Sequence, residues 1–131
     1  MNQQKIGVIL VGHGSREPYN KEAIRHFAER LKGEYEFVDY AFMEFSKPSI
    51  HDALEVAAKS GVDILVVQPV FLTRGVHTDS DIPDLLGIPR GSKSCKIKIS
   101  GKEILIKYGE PLGKDDRILE IIKTRIRESL V

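Results

Sequence analysis

The sequence predicts an α/β fold with a mostly parallel sheet, and three observations carry that prediction. Short apolar runs rich in Val, Ile and Phe alternate with stretches whose apolar residues recur at helical spacing. The runs at residues 6–11 and, apart from Asp63, 62–67 are apolar on both faces, as inner parallel strands are. The stretches between runs are long enough for right-handed crossover helices.

The elements follow in order. Residues 6–11 form the first strand and residues 12–16 a loop. Pro18 suits the first turn of a helix; Ile24, Phe27, Ala28 and Leu31 give its apolar stripe, and Gly33 stops it. Residues 36–43, rich in Phe, Val and Tyr, read as the second strand. Ser46 is placed to cap the next helix, with Pro48 in its first turn and Ile50, Leu54, Ala57 and Ala58 as its buried stripe. Residues 59–61 end it, and residues 62–67 form the third strand. Residues 68–90 hold Pro69, Gly75, Pro83, Gly87 and Pro89, which predicts a long functional loop with a short helix. Residues 96–108 contain two alternating stretches, of which at least the second is a strand. Asp115 and Asp116 open a last helix with the apolar stripe Ile118, Ile121, Ile122 and Ile126; Lys123, Arg125 and Arg127 sit toward its negative end.

The chain of 131 residues is the length of one domain, spanning residues 1–131. Lys plus Arg number 20 and Asp plus Glu 19, so the formal charge is +1 and gives no global attraction to nucleic acid or an anionic membrane. Cys95 is the single cysteine, which excludes a disulfide framework and a thiolate zinc site and suits a reducing, cytoplasmic setting. The apolar run at residues 6–11 is too short for a signal segment or a membrane span.

Ligands of open α/β sheets sit beyond the carboxyl ends of the strands, so loops 12–17, 43–47, 68–82 and 108–114 are the places to look for chemistry. The first is Gly12-His13-Gly14-Ser15-Arg16. Its glycines permit unusual backbone angles and close ligand approach, and expose the His13 imidazole. It is not a dinucleotide fingerprint, because position 17 is Glu rather than the third Gly, and no nucleophile elbow surrounds Ser15. On residue type alone His13 is equally a site group or a solvated side chain. The third loop again ends in a glycine and a histidine, Gly75 and His77. Two imidazoles on two strand-end loops can converge on one site, and neutral imidazole ligates first-row metals. Glu44, set among Phe42, Met43 and Phe45, is placed for partial desolvation, which would raise its pKa and fit it as a base or third ligand; the competing reading is a helix-entry carboxylate. His26, His51 and Cys95 receive no role. The basic stretch from Arg90 to Lys102 is either a contact for an anionic ligand or an edge protected by lysines.

Taken together, these segments resemble one family, the class II tetrapyrrole chelatases. The resemblance rests on Val11-Gly12-His13-Gly14-Ser15-Arg16, on Phe42-Met43-Glu44 followed by Pro48-Ser49-Ile50, on Pro69-x-Phe71-Leu72 with Gly75-x-His77 and Asp81-Ile82-Pro83, and on Glu110-Pro111-Leu112-Gly113. Each piece is weak alone; the ordered set covers essentially the whole chain. It implies a flavodoxin-like, chelatase-like three-layer sandwich of a single lobe, and insertion of a metal into a tetrapyrrole. Short archaeal-type members act on sirohydrochlorin, mainly as cobaltochelatases in the anaerobic route to cobalamin, with nickel or iron as alternative metals. Cobalt is then a substrate and no cofactor is retained. Longer relatives carry two such lobes, so a homodimer is implied here. By the same resemblance His13 and His77 present the metal, and Glu44 ligates it or accepts a pyrrole proton. Gly12, Gly14 and Gly75 admit the flat ring, and Ser15, Arg16 and Arg74 meet the macrocycle and its carboxylates. A non-catalytic metal or tetrapyrrole carrier, a nucleotide binder using residues 12–16, and acyl or phosphoryl transfer through Ser15 are the rival readings.

Overall fold

The structure, a computed structural model, describes residues 3–131. In chain order it contains β1 (Ile6–Gly12), α1 (Tyr19–Leu31), β2 (Phe37–Phe42), α2 (Ile50–Lys59) and β3 (Ile64–Pro69). A π-helical turn (His77–Asp81) then runs into α3 (Ile82–Leu86), followed by β4 (Ser94–Ile99), β5 (Lys102–Tyr108) and α4 (Asp116–Ser129). The strands form one sheet in the order β2-β1-β3-β5-β4. β1 pairs in parallel with β2 and β3, β3 pairs in parallel with β5, and β4 lies antiparallel on β5 at the edge. The mostly parallel α/β fold is therefore present, and both alternating stretches of residues 96–108 are strands, joined as a hairpin.

The pleat sorts side chains to two faces. Ile9, Val11, Leu65, Val67, Ile104 and Ile106 join α2, Ile82, Leu86 and Ile88 in the larger core. Val8, Leu10 and Phe42 meet Ile24 and Ala28 of α1 in the smaller one. Each fully buried Ile, Leu or Val contributes ~1.5–3 kcal/mol relative to exposure, so the larger core dominates.

Several expectations are corrected. The cap of α2 is Ser49, whose Oγ accepts the Asp52 N–H at 3.1 Å, so Ser46 is not the cap and Pro48 precedes the helix. The cause is that residues 43–48 form an irregular turn closed by Phe42 N–H donating to the Pro48 carbonyl. β3 is not buried on both faces: Leu65, Val67 and Pro69 are buried, whereas Ile64, Val66 and Gln68 are half-buried, because no helix covers β3 on the α1 side. His77 sits in a helical turn rather than an open loop. Cys95 is half-buried and packs against the larger core. The isoleucine stripe of α4 exists as a pattern, but no residue of that helix is buried. Asp115 caps α4 by accepting the Arg117 N–H at 2.9 Å, and the Arg117 guanidinium holds the Asp115 carboxyl below the usual carboxylate range. No helix among the described residues is long and apolar enough to cross a membrane.

Candidate functional site

The site forms where the carboxyl ends of β1, β2 and β3 open into loops. Gly12 ends β1 against α1, and a Cβ there would approach Ile24 Cγ1 at 2.9 Å and Phe42 Cε1 at 3.2 Å. Gly14 adopts φ +88°, a left-handed angle that favours glycine, and donates its N–H to Asn20 Oδ1 at 2.9 Å. The chain can then lie directly on the next loop. Met43 N–H donates to the Gly12 carbonyl at 3.1 Å, Glu44 N–H to the His13 carbonyl at 3.2 Å, and the Ser46 hydroxyl to the Ser15 carbonyl at 3.2 Å. These bonds zip loops 12–17 and 43–47 together and bring His13 and Glu44 side by side.

His13 Nδ1 lies 2.9 Å from the Gly14 carbonyl. A carbonyl only accepts, so Nδ1 carries the proton, and in the neutral imidazole Nε2 holds the lone pair. That Nε2 is 3.3 Å from Glu44 Oε1. Two acceptors facing each other at that distance favour a cation or a shared proton between them. His77 shows the same device: its Nδ1 lies 2.8 Å from Asp81 Oδ2, so Nδ1–H donates to the carboxylate and Nε2 holds the lone pair of the neutral ring. The two imidazoles stand 4.9 Å apart between ring centroids, and Phe71 lies 6.4 Å from each. The side chains of His13, Glu44 and His77 are 39%, 51% and 46% exposed, so the mouth is open. Glu44 therefore lacks the desolvation that its aromatic neighbours in sequence suggested.

The turn carrying His77 is anchored from below. The Gly75 N–H donates to Thr78 Oγ1 at 2.9 Å, the Asp79 N–H to the Gly75 carbonyl at 2.8 Å, and the Tyr108 hydroxyl to the Thr78 carbonyl at 2.8 Å. Burial, reinforced by the charges of Asp79 and Glu110, pushes the Tyr108 pKa up to about 12. Arg74 pairs with Asp79, its Nε 3.2 Å from Oδ1. Gly75 has no steric need of glycine in its own chain, since nothing would crowd a Cβ there.

Arg16 stacks its guanidinium 5.0 Å from the centroid of Phe45, itself exposed beside Glu44. Ser15 Oγ accepts the Glu17 N–H at 3.1 Å while His13 engages Gly14 and Glu44, so no Ser–His pair forms and acyl or phosphoryl transfer through Ser15 has no base. The basic stretch divides. Lys93, Lys96 and Lys102 pair with Glu110, Glu103 and Asp63, and Arg90 and Lys93 line a cavity of about 150 Å³ with Arg74, Asp79 and Tyr108. His26 is exposed, and His51 Nε2 pairs with Glu55 at 3.1 Å on the surface of α2.

Among the described residues no group of three or more His, Cys, Asp and Glu side chains is gathered tightly enough to hold a metal ion jointly. His13 with Glu44, and His77 with Asp81, stand as two adjacent pairs rather than a closed cage. Such a centre suits an ion in transit better than a structural metal, whose sites are closed. Sequence reasoning missed Asp81 as the partner of His77, although the i, i+4 spacing is a helical signal. It also missed Asn20 and Tyr108, whose contacts arise only from the tertiary fold.

Comparison with known proteins places these features. A family model described as CbiX matches residues 7–129. A protein of Methanopyrus kandleri named sirohydrochlorin cobaltochelatase is 41% identical, with 95% of this chain and 97% of the relative covered. One of the same name from Methanothermobacter thermautotrophicus is 42% identical over 96% of this chain and 94% of its own length. Among solved structures, the sirohydrochlorin chelatase SirB of Bacillus subtilis subspecies spizizenii, in complex with cobalt, superposes with a TM-score of 0.76 at 25% identity. That match covers 95% of this chain and 51% of SirB.

Proposed function

The chain belongs to the CbiX family, and we propose on that premise that it inserts cobalt(2+) into sirohydrochlorin, with residues 1–131 acting as one chelatase domain. The cobalt-bound SirB structure supports the metal. The observation that carries the reading is the matched pair of imidazoles at the open end of the sheet, each with Nδ1 tied to an acceptor, the Nε2 of His13 facing the Glu44 carboxylate.

Insertion joins one metal ion to the ring and releases two pyrrole protons. His13 and His77 offer neutral Nε2 lone pairs that hold the cobalt substrate against one face of the macrocycle. The second bonds, to the Gly14 carbonyl and the Asp81 carboxylate, keep both rings in the tautomer that ligates through Nε2. Glu44, 3.3 Å from His13, takes a pyrrole proton or shares the metal in turn, since one lone pair cannot serve both tasks at once. Gly12 and Gly14 are buried against α1 and the Glu44 loop, so of the three glycines expected to admit a flat ring Gly75 alone leaves exposed backbone, and exposed Phe45, Leu72 and Val76 offer an apolar rim. Ser15, Arg16 and Arg74 meet the polar periphery, the guanidiniums binding ring carboxylates by charge-assisted bonds. Arg74 must exchange its Asp79 partner to do so.

The same donors serve nickel or iron, because affinity follows a general series and selection lies in geometry and supply. The metal leaves with the product, so no cofactor is retained. A homodimer in the cytoplasm is the setting proposed, a second copy completing the cleft that this single lobe leaves open. The test is anaerobic insertion under multiple turnover. Catalytic conversion to the metallated absorbance spectrum supports a chelatase, and stoichiometric binding without acceleration supports a carrier.

A further inference from the structure

Phe45 has a backbone conformation and a surface position that the fold alone does not explain. The Glu44 N–H donates to the His13 carbonyl at 3.2 Å, and the Ser46 hydroxyl donates to the Ser15 carbonyl at 3.2 Å. With both flanking residues tied to the first loop, the chain doubles back within one residue. The Ser46 N–H donates to the Glu44 carbonyl at 2.8 Å, and Phe45 between them sits at φ +64°. That is the strained, left-handed form of a γ-turn, in which a bulky side chain is a genuine outlier. The turn throws the ring outward, and Phe45 is 58% exposed. Ser100, the other non-glycine residue at positive φ among the described residues, sits beside Gly101 in the β4–β5 hairpin, where such angles are required. No such need explains a phenylalanine at position 45. Glycine would make the same turn with less strain and would expose no aromatic ring.

The ring does have a partner. The Arg16 guanidinium carbon lies 5.0 Å from its centroid, within the range of cation–π attraction. Arg16 is exposed and, among the described residues, forms no ion pair, unlike Arg74, Arg117 and Arg125. A carboxylate at position 45 would hold the guanidinium but neutralise it. An aromatic ring holds it and leaves its charge and its N–H donors to a ligand. Phe45 follows Glu44 directly, and Glu44 Oε1 lies 3.3 Å from His13 Nε2, so the Arg16–Phe45 pair flanks the metal-presenting imidazole.

We propose that Phe45 is a positioning residue for the macrocycle: its ring holds the Arg16 guanidinium at the site mouth, ready to take a peripheral carboxylate of the tetrapyrrole. The proposal rests on the chelatase reading above and adds a residue that acts through Arg16. It accounts for both unusual features of Phe45, since strained residues persist where a ligand makes use of them. Arg74 must give up Asp79 to meet a carboxylate, whereas Arg16 has no ion pair to surrender.

The test is steady-state cobalt insertion with sirohydrochlorin varied. Phe45→Leu, which keeps apolar bulk and loses the π face, should raise KM ~2–5-fold, with a smaller change in kcat. Phe45→Tyr keeps the ring and should have a KM below that of Phe45→Leu. In an Arg16→Ala background Phe45→Leu should raise KM no further, because the two side chains act as one unit. The same factor in both backgrounds would mean that the ring meets the substrate directly, and overturns the positioning role. A Phe45→Leu enzyme with the wild-type KM, or one that loses kcat alone, overturns it too. Phe45→Gly should unfold at a higher guanidinium concentration than Phe45→Ala, and the reverse order overturns the strained-turn premise. A wild type that metallates no sirohydrochlorin overturns the chelatase reading itself and this proposal with it.

Discussion

Replacing Gly14 by Ala tests how the first two site loops are held together. The residue sits at φ +88°, where a side chain costs ~1–2 kcal/mol. A Cβ there would overlap the Glu44 carbonyl oxygen, come within 2.9 Å of that carbonyl's carbon and stand 3.3 Å from Phe42 Cβ. The neighbour is backbone and is itself tied to His13, so relief requires moving the Glu44 loop. Overpacking of this kind costs ~1–3 kcal/mol, and the sum is about 2–5 kcal/mol of a total stability of about 5–15 kcal/mol. A displacement of about 1 Å between proton acceptor and metal donor lowers turnover on the order of 100-fold. Guanidinium denaturation and anaerobic cobalt insertion read the two effects. Gly75→Ala is the control for stability, since nothing lies within 4 Å of a Cβ there, and it should stay within ~0.5 kcal/mol of wild type. A Gly14→Ala protein as stable as that control, with full turnover, would refute the zipped-loop account.

Other outcomes follow from the same geometry. Asp81→Asn should lower insertion ~10–100-fold by weakening the bond that fixes the His77 tautomer; unaltered turnover removes Asp81 from the site. His77→Ala should abolish insertion with stability within ~0.5 kcal/mol, because the ring is exposed; wild-type turnover sinks its role. Arg74→Ala should raise the apparent KM for sirohydrochlorin with little change in the far-UV spectrum, and an unchanged KM rejects the carboxylate contact. Tyr108 has its pKa raised to about 12 against an ordinary value of 10. Its contribution is complete below pH ~10 and lost as pH rises toward 12, amounting to about 2–3 kcal/mol. Denaturation at pH 9 and pH 11.5 should therefore show an alkaline loss in wild type that Tyr108→Phe lacks, and equal losses would contradict it.

Much of the architecture was legible in the pattern of apolar runs. β1, α1, β2, α2, the broken segment before α3 and the final strand all stand within a few residues of where spacing and Gly or Pro punctuation put them. His13, Glu44 and His77 were legible as residues at strand ends, since parallel topology fixes where strand ends gather. Their second partners were not. Asp81 becomes a neighbour of His77 only once the turn is helical, and Asn20 meets Gly14 only when α1 packs on the end of β1. Ser46 misled as a cap because Ser49 sits three residues on and the choice depends on the turn closed by Phe42 and Pro48. The half-exposure of β3 was hidden because hydrophobicity reports what a strand is able to bury, and whether a helix covers it depends on the tertiary fold.

The most direct test of the account is the steady-state rate of cobalt insertion into sirohydrochlorin, followed anaerobically by absorbance, for wild type and the His13→Ala, His77→Ala double variant. Catalytic, multiple-turnover conversion by the first and the uncatalysed rate with the second is the predicted result. A double variant that still turns over at the wild-type rate would contradict the assignment of the two imidazoles as the groups that hand over the metal.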